Sequence, residues 1–385
     1  MRLEAEVARG PQPSERYLPA SHVPIPGNAC QLLRDGVEAY PSMLAAIAEA
    51  RHEVRLETYM FYADSVGHQF RDALISAARR GVRVCVLYDA VGSWPASRAF
   101  FRVMRKAGVH IRAFRPVTLR FWRVWLRDHR KILVVDGRVA FTGGINIAAH
   151  WAPSAPHGGW RDDVLRFEGP AVRQLERTSR AGWRFLLKNS WRSLSRAGRK
   201  RRFPTVCGDV ALSVLSSRRS IHRAYLHALE RARERVMVAA AYFVPDRRIF
   251  NALHSAAGRG VKVMLLLNGR SDHRFLEFAT RHYYEPLLRA GVRIFEWQGS
   301  VLHAKTAVVD GVWGTLGSFN LERMSLNFNH ETNVVFTDTG LAGAVERSFE
   351  SDCGFCHEVH LTQWMARPRW QKLLERACFV FRKIL

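Results

Sequence analysis

The chain has 385 residues, of which 48% are hydrophobic and 24% charged, and its formal net charge is +25 at pH 7. This composition excludes a disordered or fibrous chain, and the length suffices for two units with buried cores. The charge predicts an anionic partner, either nucleic acid or an anionic membrane surface.

The first half of the chain alternates between helical and strand patterns. Residues 1–28 carry prolines and glycines without periodicity, which predicts a flexible arm. The predicted elements that follow are a helix at Tyr40–Ala50, a strand at Val54–Phe61, a helix at His68–Arg80, a strand at Val82–Tyr88, a helix at Arg98–Ala107 and a strand at Val109–Phe114. This alternation indicates parallel-type α/β layering.

Residues 114–127, FRPVTLRFWRVWLR, interleave arginine with aromatic and aliphatic side chains. Tryptophan beside arginine suits the headgroup level of a membrane, and we therefore predict membrane contact by Trp122 and Trp125. Two alternatives stay open. The same mixture could stack nucleic-acid bases, or it could be a buried strand with basic edges.

Directly after this segment, residues 129–146 read HRKILVVDGRVAFTGGIN. The β-branched run Ile132–Val135 predicts a buried strand, whose period of two places His129 and Lys131 on one face. Asp136 precedes a glycine, a strong signal for a hairpin turn. A second strand follows, and then a glycine-rich turn that contains Gly144 and ends at Asn146.

Residues 303–320, HAKTAVVDGVWGTLGSFN, repeat this pattern with the same spacing and no gap. The corresponding residues are His303, Lys305, Asp310, Ser318 and Asn320. The preceding elements repeat as well, with predicted helices at Tyr225–Ala232, Ile249–Arg259 and Tyr284–Ala290 and predicted strands at Val236–Phe243, Val261–Asn268 and Val292–Trp297. The chain is thus predicted to be two homologous α/β halves.

In each copy an imidazole, an ammonium group and an amide converge, a combination that suits a phosphate oxyanion. Asp136 and Asp310 fall on the opposite strand face, where the pattern favours a role in fixing the turn. Each copy is also followed by a carboxylate, because aligning Phe167 with Phe336 pairs Asp162 with Glu331.

These residues resemble the signature of the phospholipase D superfamily, a duplicated HxKxxxxD followed by a G-[GS]-x-N turn, over about residues 30–360. The segments LETYMFYAD, HRKILVVDG and TGGIN are most similar to bacterial cardiolipin synthases of the B type. The resemblance implies two α/β halves forming a pseudo-dimer with one shared active site. It also implies that Asp162 and Glu331 orient the histidines, as carboxylates do in other histidine sites.

The resemblance further implies a role for each residue of the signature. His129 is the expected nucleophile and His303 the expected acid and base, while the side chains of the lysines and asparagines hold the phosphate. The catalytic set then comprises His129, Lys131, Asp136, His303, Lys305 and Asp310, and the phosphate-binding set comprises Asn146, Asn320, Gly144 and Ser318. We expect no metal ion and no cofactor.

We predict five segments: an arm at 1–28, a phospholipase D-like half at 29–190, a basic linker at 191–204, a second half at 205–360 and an amphipathic tail at 361–385. The tail is either an interfacial helix or a helix packed on the core. Six scattered cysteines do not predict a disulfide scaffold, and unligated thiols are favoured at Cys353 and Cys356.

The expected reaction is phosphatidyl transfer between two phosphatidylglycerol molecules through a phosphohistidine, giving cardiolipin and glycerol. The alternative is a phosphodiesterase or nuclease that uses water as the acceptor. No apolar run reaches the roughly 18 residues of a transmembrane helix, and the N-terminus lacks a signal-peptide core. We therefore expect a peripheral protein on the cytoplasmic face of the bacterial inner membrane, with weak non-specific binding of nucleic acid.

Overall fold

The computed structural model describes residues 25–115, 126–152, 159–188 and 210–380. The strands of the first half are β1 (Ile25–Arg34), β2 (Glu53–Thr58), β3 (Arg83–Asp89), β4 (His110–Phe114), β5 (Ile132–Val135), β6 (Val139–Gly143) and β7 (Asp163–Glu168). Its helices are α1 (Asp35–Glu49), α2 (Ser65–Arg79), α3 (Arg98–Lys106) and α4 (Val172–Lys188).

The second half repeats this order and adds elements at its end. Its strands are β8 (Val210–Leu215), β9 (Arg235–Ala240), β10 (Lys262–Asn268), β11 (Arg293–Trp297), β12 (Lys305–Val309), β13 (Trp313–Gly317), β14 (Asn333–Thr337) and β15 (Cys356–Val359). Its helices are α5 (Arg218–Arg231), α6 (Arg247–Gly258), α7 (Arg274–Arg281), α8 (Tyr284–Arg289), α9 (Arg323–Asn327), α10 (Thr339–Cys353), α11 (Leu361–Met365) and α12 (Arg369–Val380).

The strands follow the continuous order β15-β11-β10-β9-β12-β13-β14-β8-β1-β7-β6-β5-β2-β3-β4. In each half the three strands linked by helices are parallel, and the motif strands add to them in antiparallel fashion. The halves join at equivalent strands, because β1 pairs with β8. The predicted fold class, two homologous α/β halves, is confirmed.

One apolar cluster crosses the join between the halves. Ile132, Leu165 and Phe167 of the first half are buried together with Val308 and Phe336 of the second. Since each half contributes a sheet face that the other covers, the two halves pack as one body. Further clusters lie under the helices of each half.

The predicted helix ends in the repeated α/β units agree with the backbone. Gly81, Gly108, Gly260 and Gly291 follow helices and have φ between 87° and 90°. This left-handed conformation is the usual one just beyond a helix end, and glycine adopts it without strain.

Two boundaries near the N-terminus were wrong. The predicted arm extends to residue 28, but β1 begins at Ile25 and tolerates Gly27 (φ 85°) because its pairing with β8 is irregular there. Helix α1 begins at Asp35, five residues before the predicted start, and contains Pro41. In its first turn a Cβ atom on Gly36 would lie only 2.3 Å from the backbone carbonyl oxygen of Trp151, so this close approach requires glycine.

The C-terminal tail both packs on the protein and exposes an apolar face. The Trp364 ring lies 4.7 Å from the ring of Tyr284, and the Phe379 ring stacks on His282 at 3.6 Å. Trp370 and Leu373, by contrast, are 62% and 65% exposed. No helix among the described residues is both long and apolar enough to cross a membrane.

Candidate active site

The two His-Lys pairs lie at the starts of equivalent central strands. His129 and Lys131 directly precede β5, whereas His303 precedes β12 and Lys305 is its first residue. All four side chains are buried, with 3–8% of each residue exposed. The Lys131 ammonium donates a hydrogen bond to the His129 carbonyl at 2.8 Å, and Lys305 bonds the His303 carbonyl in the same way.

Backbone hydrogen bonds between the halves bring these strand starts together. The His129 N–H donates to the carbonyl of His330 at 3.0 Å, and the His303 N–H donates to the carbonyl of Arg161 at 2.7 Å. His330 and Arg161 immediately precede Glu331 and Asp162 in sequence. Each histidine is therefore joined through the backbone to the carboxylate segment of the opposite half.

The side chains follow the same crossed pattern. The Nδ1 atom of His129 lies 3.1 Å from both carboxylate oxygens of Glu331, and the Nδ1 atom of His303 lies 2.7 Å from Asp162. With Nδ1 held as a donor, Nε2 is left as the unprotonated nitrogen of each neutral ring. Neither half contains a complete His-carboxylate pair, so this site requires both.

The two carboxylates are held differently. Glu331 accepts hydrogen bonds from the hydroxyls of Ser318 and Ser325, and Asp162 accepts from the indole N–H of Trp151 at 3.1 Å. A Cβ atom on Gly144 would lie only 2.2 Å from an Asp162 oxygen. The structure thus places Gly144 and Ser318 beside the carboxylates, whereas the sequence had predicted phosphate contact for both.

The pKa values of the carboxylates differ accordingly. Burial raises the pKa of Asp162 to about 6, although the charges of Lys305 and Arg161 oppose this effect. Burial would also raise the pKa of Glu331, but His129, Lys131 and the Ser318 hydroxyl hold it below its ordinary value. Glu331 is therefore the more firmly ionised of the two carboxylates.

The cationic groups affect one another across the halves. Burial, together with the charge of Lys305, lowers the pKa of Lys131 to about 7, and burial lowers the pKa of Lys305 to about 8. Burial also lowers the pKa of His129 and takes that of His303 well below its ordinary value, where both lysines add to the effect. Two motifs remote in sequence thus form one electrostatic cluster.

Asn146 and Asn320 are buried beside this cluster, each with an amide atom that lacks a hydrogen-bond partner within the described part of the chain. Asn146 Oδ1 accepts from the Met60 N–H at 3.1 Å, while its Nδ2 has no partner. Asn320 Oδ1 is likewise unpaired. Buried polar atoms without partners are costly. A phosphate oxygen would accept from the Asn146 amide nitrogen, whereas the Asn320 Oδ1 atom is itself an acceptor and needs a donor instead.

Asp136 and Asp310 lie at the far ends of β5 and β12. The Asp136 carboxylate accepts hydrogen bonds at 2.8 Å from the backbone N–H groups of Arg51, His52 and Glu53, and Asp310 repeats this arrangement in the second half. Both have positive φ values, 54° and 53°. The structure brings neither to the histidines, so the turn interpretation describes them better than the catalytic one.

Aromatic rings that were not predicted as site residues surround the histidines. The ring of Tyr59 lies 5.2 Å from His129, and those of Trp151 and Trp160 lie 5.2 Å and 5.5 Å from His303. Of these three residues, Tyr59 alone could have been found from the sequence, because it belongs to the LETYMFYAD segment that carries the family resemblance. Trp122 and Trp125 lie outside the described residues.

Arg161 is a further residue that sequence reasoning missed. Its buried guanidinium donates to Asp352 and Ser348 of α10 at 2.9 Å and 2.6 Å, and also to the Asp162 carbonyl. It therefore ties the Asp162 segment to the second half. The repeat could not reveal it, because the equivalent residue in the other copy is His330.

Two α/β halves that each supply one His-Lys pair to a common cluster define the phospholipase D superfamily. Residues 43–151 and 225–353 match the family model described as "Cardiolipin synthase, PLD-like domain". The chain therefore belongs to the cardiolipin synthase family, whose members are phosphatidyltransferases of that superfamily.

Comparison with individual proteins agrees with this assignment. The chain is 37% identical to cardiolipin synthase B of Escherichia coli K12 over 323 residues, which cover 81% of this chain and 77% of the relative. It is 29% identical to the major cardiolipin synthase of Bacillus subtilis, with 93% of this chain and 76% of the relative covered. The crystal structure of Haemophilus influenzae phosphatidylserine synthase shares the fold, with a TM-score of 0.73 at 15% identity and coverage of 96% and 98%.

Proposed function

We propose that the protein joins two phosphatidylglycerol molecules into cardiolipin and releases glycerol. The observation that carries this proposal is the crossed pair of buried histidines, each hydrogen-bonded to a carboxylate of the opposite half and set beside a lysine. The 37% identity to cardiolipin synthases of the B type supports the lipid substrate.

In the first step, Nε2 of His129 attacks the phosphorus of one phosphatidylglycerol. A P–N bond forms and the P–O bond to the headgroup glycerol breaks, while His303 gives its proton to the departing oxygen. Glu331 stabilises the positive charge that develops on His129, since its lowered pKa keeps it ionised. A covalent intermediate divides one difficult displacement into two easier ones.

In the second step, a headgroup hydroxyl of another phosphatidylglycerol loses its proton to His303 and attacks the phosphohistidine. The new P–O bond replaces the P–N bond and frees His129. Lys131, Lys305 and the amides of Asn146 and Asn320 hold the phosphate oxygens in both steps, as positioned donors do for developing negative charge.

In the free site both histidines are neutral. The negative charge of a bound phosphodiester allows His303 to take up the proton that it later donates. The charges of Lys305 and Lys131 lower the pKa of His303, in addition to its burial. An anionic phosphodiester between these groups offsets the lysine charges and raises the pKa again. His129 stays unprotonated and nucleophilic in the free enzyme.

We place the protein at the cytoplasmic face of the inner membrane as a peripheral enzyme, where anionic lipid attracts a chain of charge +25. The same charge predicts weak, salt-sensitive binding of nucleic acid without cleavage.

The proposal is tested by extracting lipid from bacteria that lack their own cardiolipin synthases and express this chain. Wild-type protein is expected to produce cardiolipin, and His129→Ala at equal abundance is not. Equal cardiolipin levels with both forms would contradict the proposal.

A further inference from the structure

Helix α12 has two chemically different faces. Its inner face packs on the protein through Glu375, Cys378 and the stacked ring of Phe379. Its outer face is exposed and apolar, and consists of Trp370, Leu373, Leu374, Ala377 and Val380. Scattered apolar side chains on a surface are ordinary, but a contiguous helical face of this kind marks an interaction site.

The charges around this outer face of α12 are positive. Within residues 361–380 the sole acid is Glu375, and its buried carboxylate accepts a hydrogen bond from Arg367 at 2.6 Å. Arg376 is exposed at the edge of the outer face, and Lys372 lies one turn before it. The surface therefore combines an apolar strip that includes tryptophan with outward positive charge, the composition of helices that lie in a bilayer interface.

Helix α12 contacts the end of α7, which is hydrogen-bonded to a loop beside the active site. Phe379 contacts His282 and Tyr283 at the end of α7, and the Tyr283 hydroxyl donates to the carbonyl of Pro245 in the loop after β9. That loop also carries Tyr242, whose ring lies 6.3 Å from His303. Arg274, the first residue of α7, which packs against α12, is exposed and adds positive charge, as does Arg270 in the preceding loop, and Asp272 between them is the exposed acid of this segment.

We propose that the outer face of α12 is a membrane-docking surface that lies in the headgroup region of an anionic bilayer. The inference rests on the proposed function, because a lipid substrate requires the site to meet the membrane. A second copy of the chain fits this face less well than a bilayer. Two copies would bring their Arg376 side chains and their net charges of +25 together, whereas anionic lipid neutralises both.

The test is co-sedimentation of the full chain with vesicles of phosphatidylcholine containing phosphatidylglycerol, beside vesicles of phosphatidylcholine alone. The double substitution Trp370→Gln and Leu373→Gln is expected to weaken binding to the anionic vesicles at least about tenfold, since each large apolar side chain loses its burial. Val103→Gln, at a 49% exposed position on α3, is the matched control and is expected to bind as wild type.

Ala377→Leu adds apolar surface to the same face and is expected to tighten binding, a gain that misfolding cannot produce. Turnover of monomeric short-chain phosphatidylglycerol is expected to be unchanged in both α12 variants. Unchanged vesicle binding by the double variant would overturn the inference. A double variant that binds vesicles as wild type but no longer self-associates would show that a second copy of the chain covers this face. A protein that docks through α12 but turns over no lipid would instead contradict the proposed function alone.

Discussion

At the residue scale, the two histidines differ in the carboxylates that hold them. Glu331 is firmly ionised and bonded by two serine hydroxyls, whereas burial raises the pKa of Asp162 to about 6. An ionised partner suits a nucleophile that becomes cationic when it is phosphorylated. This difference supports the sequence-based expectation that His129 is the nucleophile and His303 the acid and base.

A phosphodiester with a p-nitrophenol leaving group separates the two roles. This leaving group needs little protonation, so His303→Ala should form the phosphoenzyme but release it slowly, because the acceptor lacks its base. We expect a burst of nitrophenol near one per enzyme, with the phosphoryl group on His129 by mass spectrometry, and no burst from His129→Ala. A burst from His129→Ala with label on His303 would reverse the two roles.

The lowered lysine pKa values predict a pH dependence of anion binding. A lysine binds a phosphodiester best when protonated, so affinity should be greatest below about pH 7 and fall as Lys131, then Lys305 near pH 8, lose their protons. A dialkyl phosphate keeps one charge throughout and serves as competitive inhibitor. Between pH 6.5 and 9, its inhibition constant should rise up to about tenfold per pH unit for each lysine.

Lys131→Arg is the control for this prediction, because arginine stays charged over the whole range. Its inhibition constant should begin to rise only near pH 8. A constant that stays flat in the wild-type enzyme would contradict the assignment of both lysines to phosphate binding.

At the element scale, β5 and β12 connect the site to two tight turns. Asp136 accepts three backbone N–H bonds at the far end of β5, and its backbone lies in the left-handed region, where aspartate and asparagine are tolerated. Asp136→Asn keeps this backbone conformation while it removes the charge. We expect the free energy of unfolding to fall by about 1–2 kcal/mol, with kcat/KM nearly unchanged.

Chemical denaturation and steady-state kinetics measure these two effects, and Asp310→Asn should repeat them in the other half. A large loss of kcat/KM without a loss of stability would show that Asp136 takes part in catalysis after all.

The elements inside the repeat were predictable because their apolar periodicity and closing glycines are local signals. Strand β1 was not, since Pro26 and Gly27 interrupt its pattern and only pairing with β8 and β7 makes it a strand. The two motifs and the paired acids were also readable from the repeat. The crossing of Glu331 to His129 and of Asp162 to His303 was not, because it depends on how the halves dock.

At the scale of the whole molecule, the site lies where the halves meet, and both contribute to a shared core. The two histidines of one chain form one site, so chains of His129→Ala and His303→Ala should not restore each other's activity when mixed. Recovery of about a quarter of the wild-type rate after co-refolding would show that halves of different chains combine. Each variant alone gives the baseline.

The central claim is that this site transfers a phosphatidyl group from one lipid to another. The most direct measurement follows phosphatidylglycerol vesicles with labelled headgroup glycerol, incubated with purified protein and a divalent-metal chelator. We predict cardiolipin and free glycerol in equal amounts. Phosphatidic acid with glycerol would show that water is the acceptor. Untouched lipid, with nicking of plasmid DNA in a parallel incubation, would contradict the lipid assignment itself.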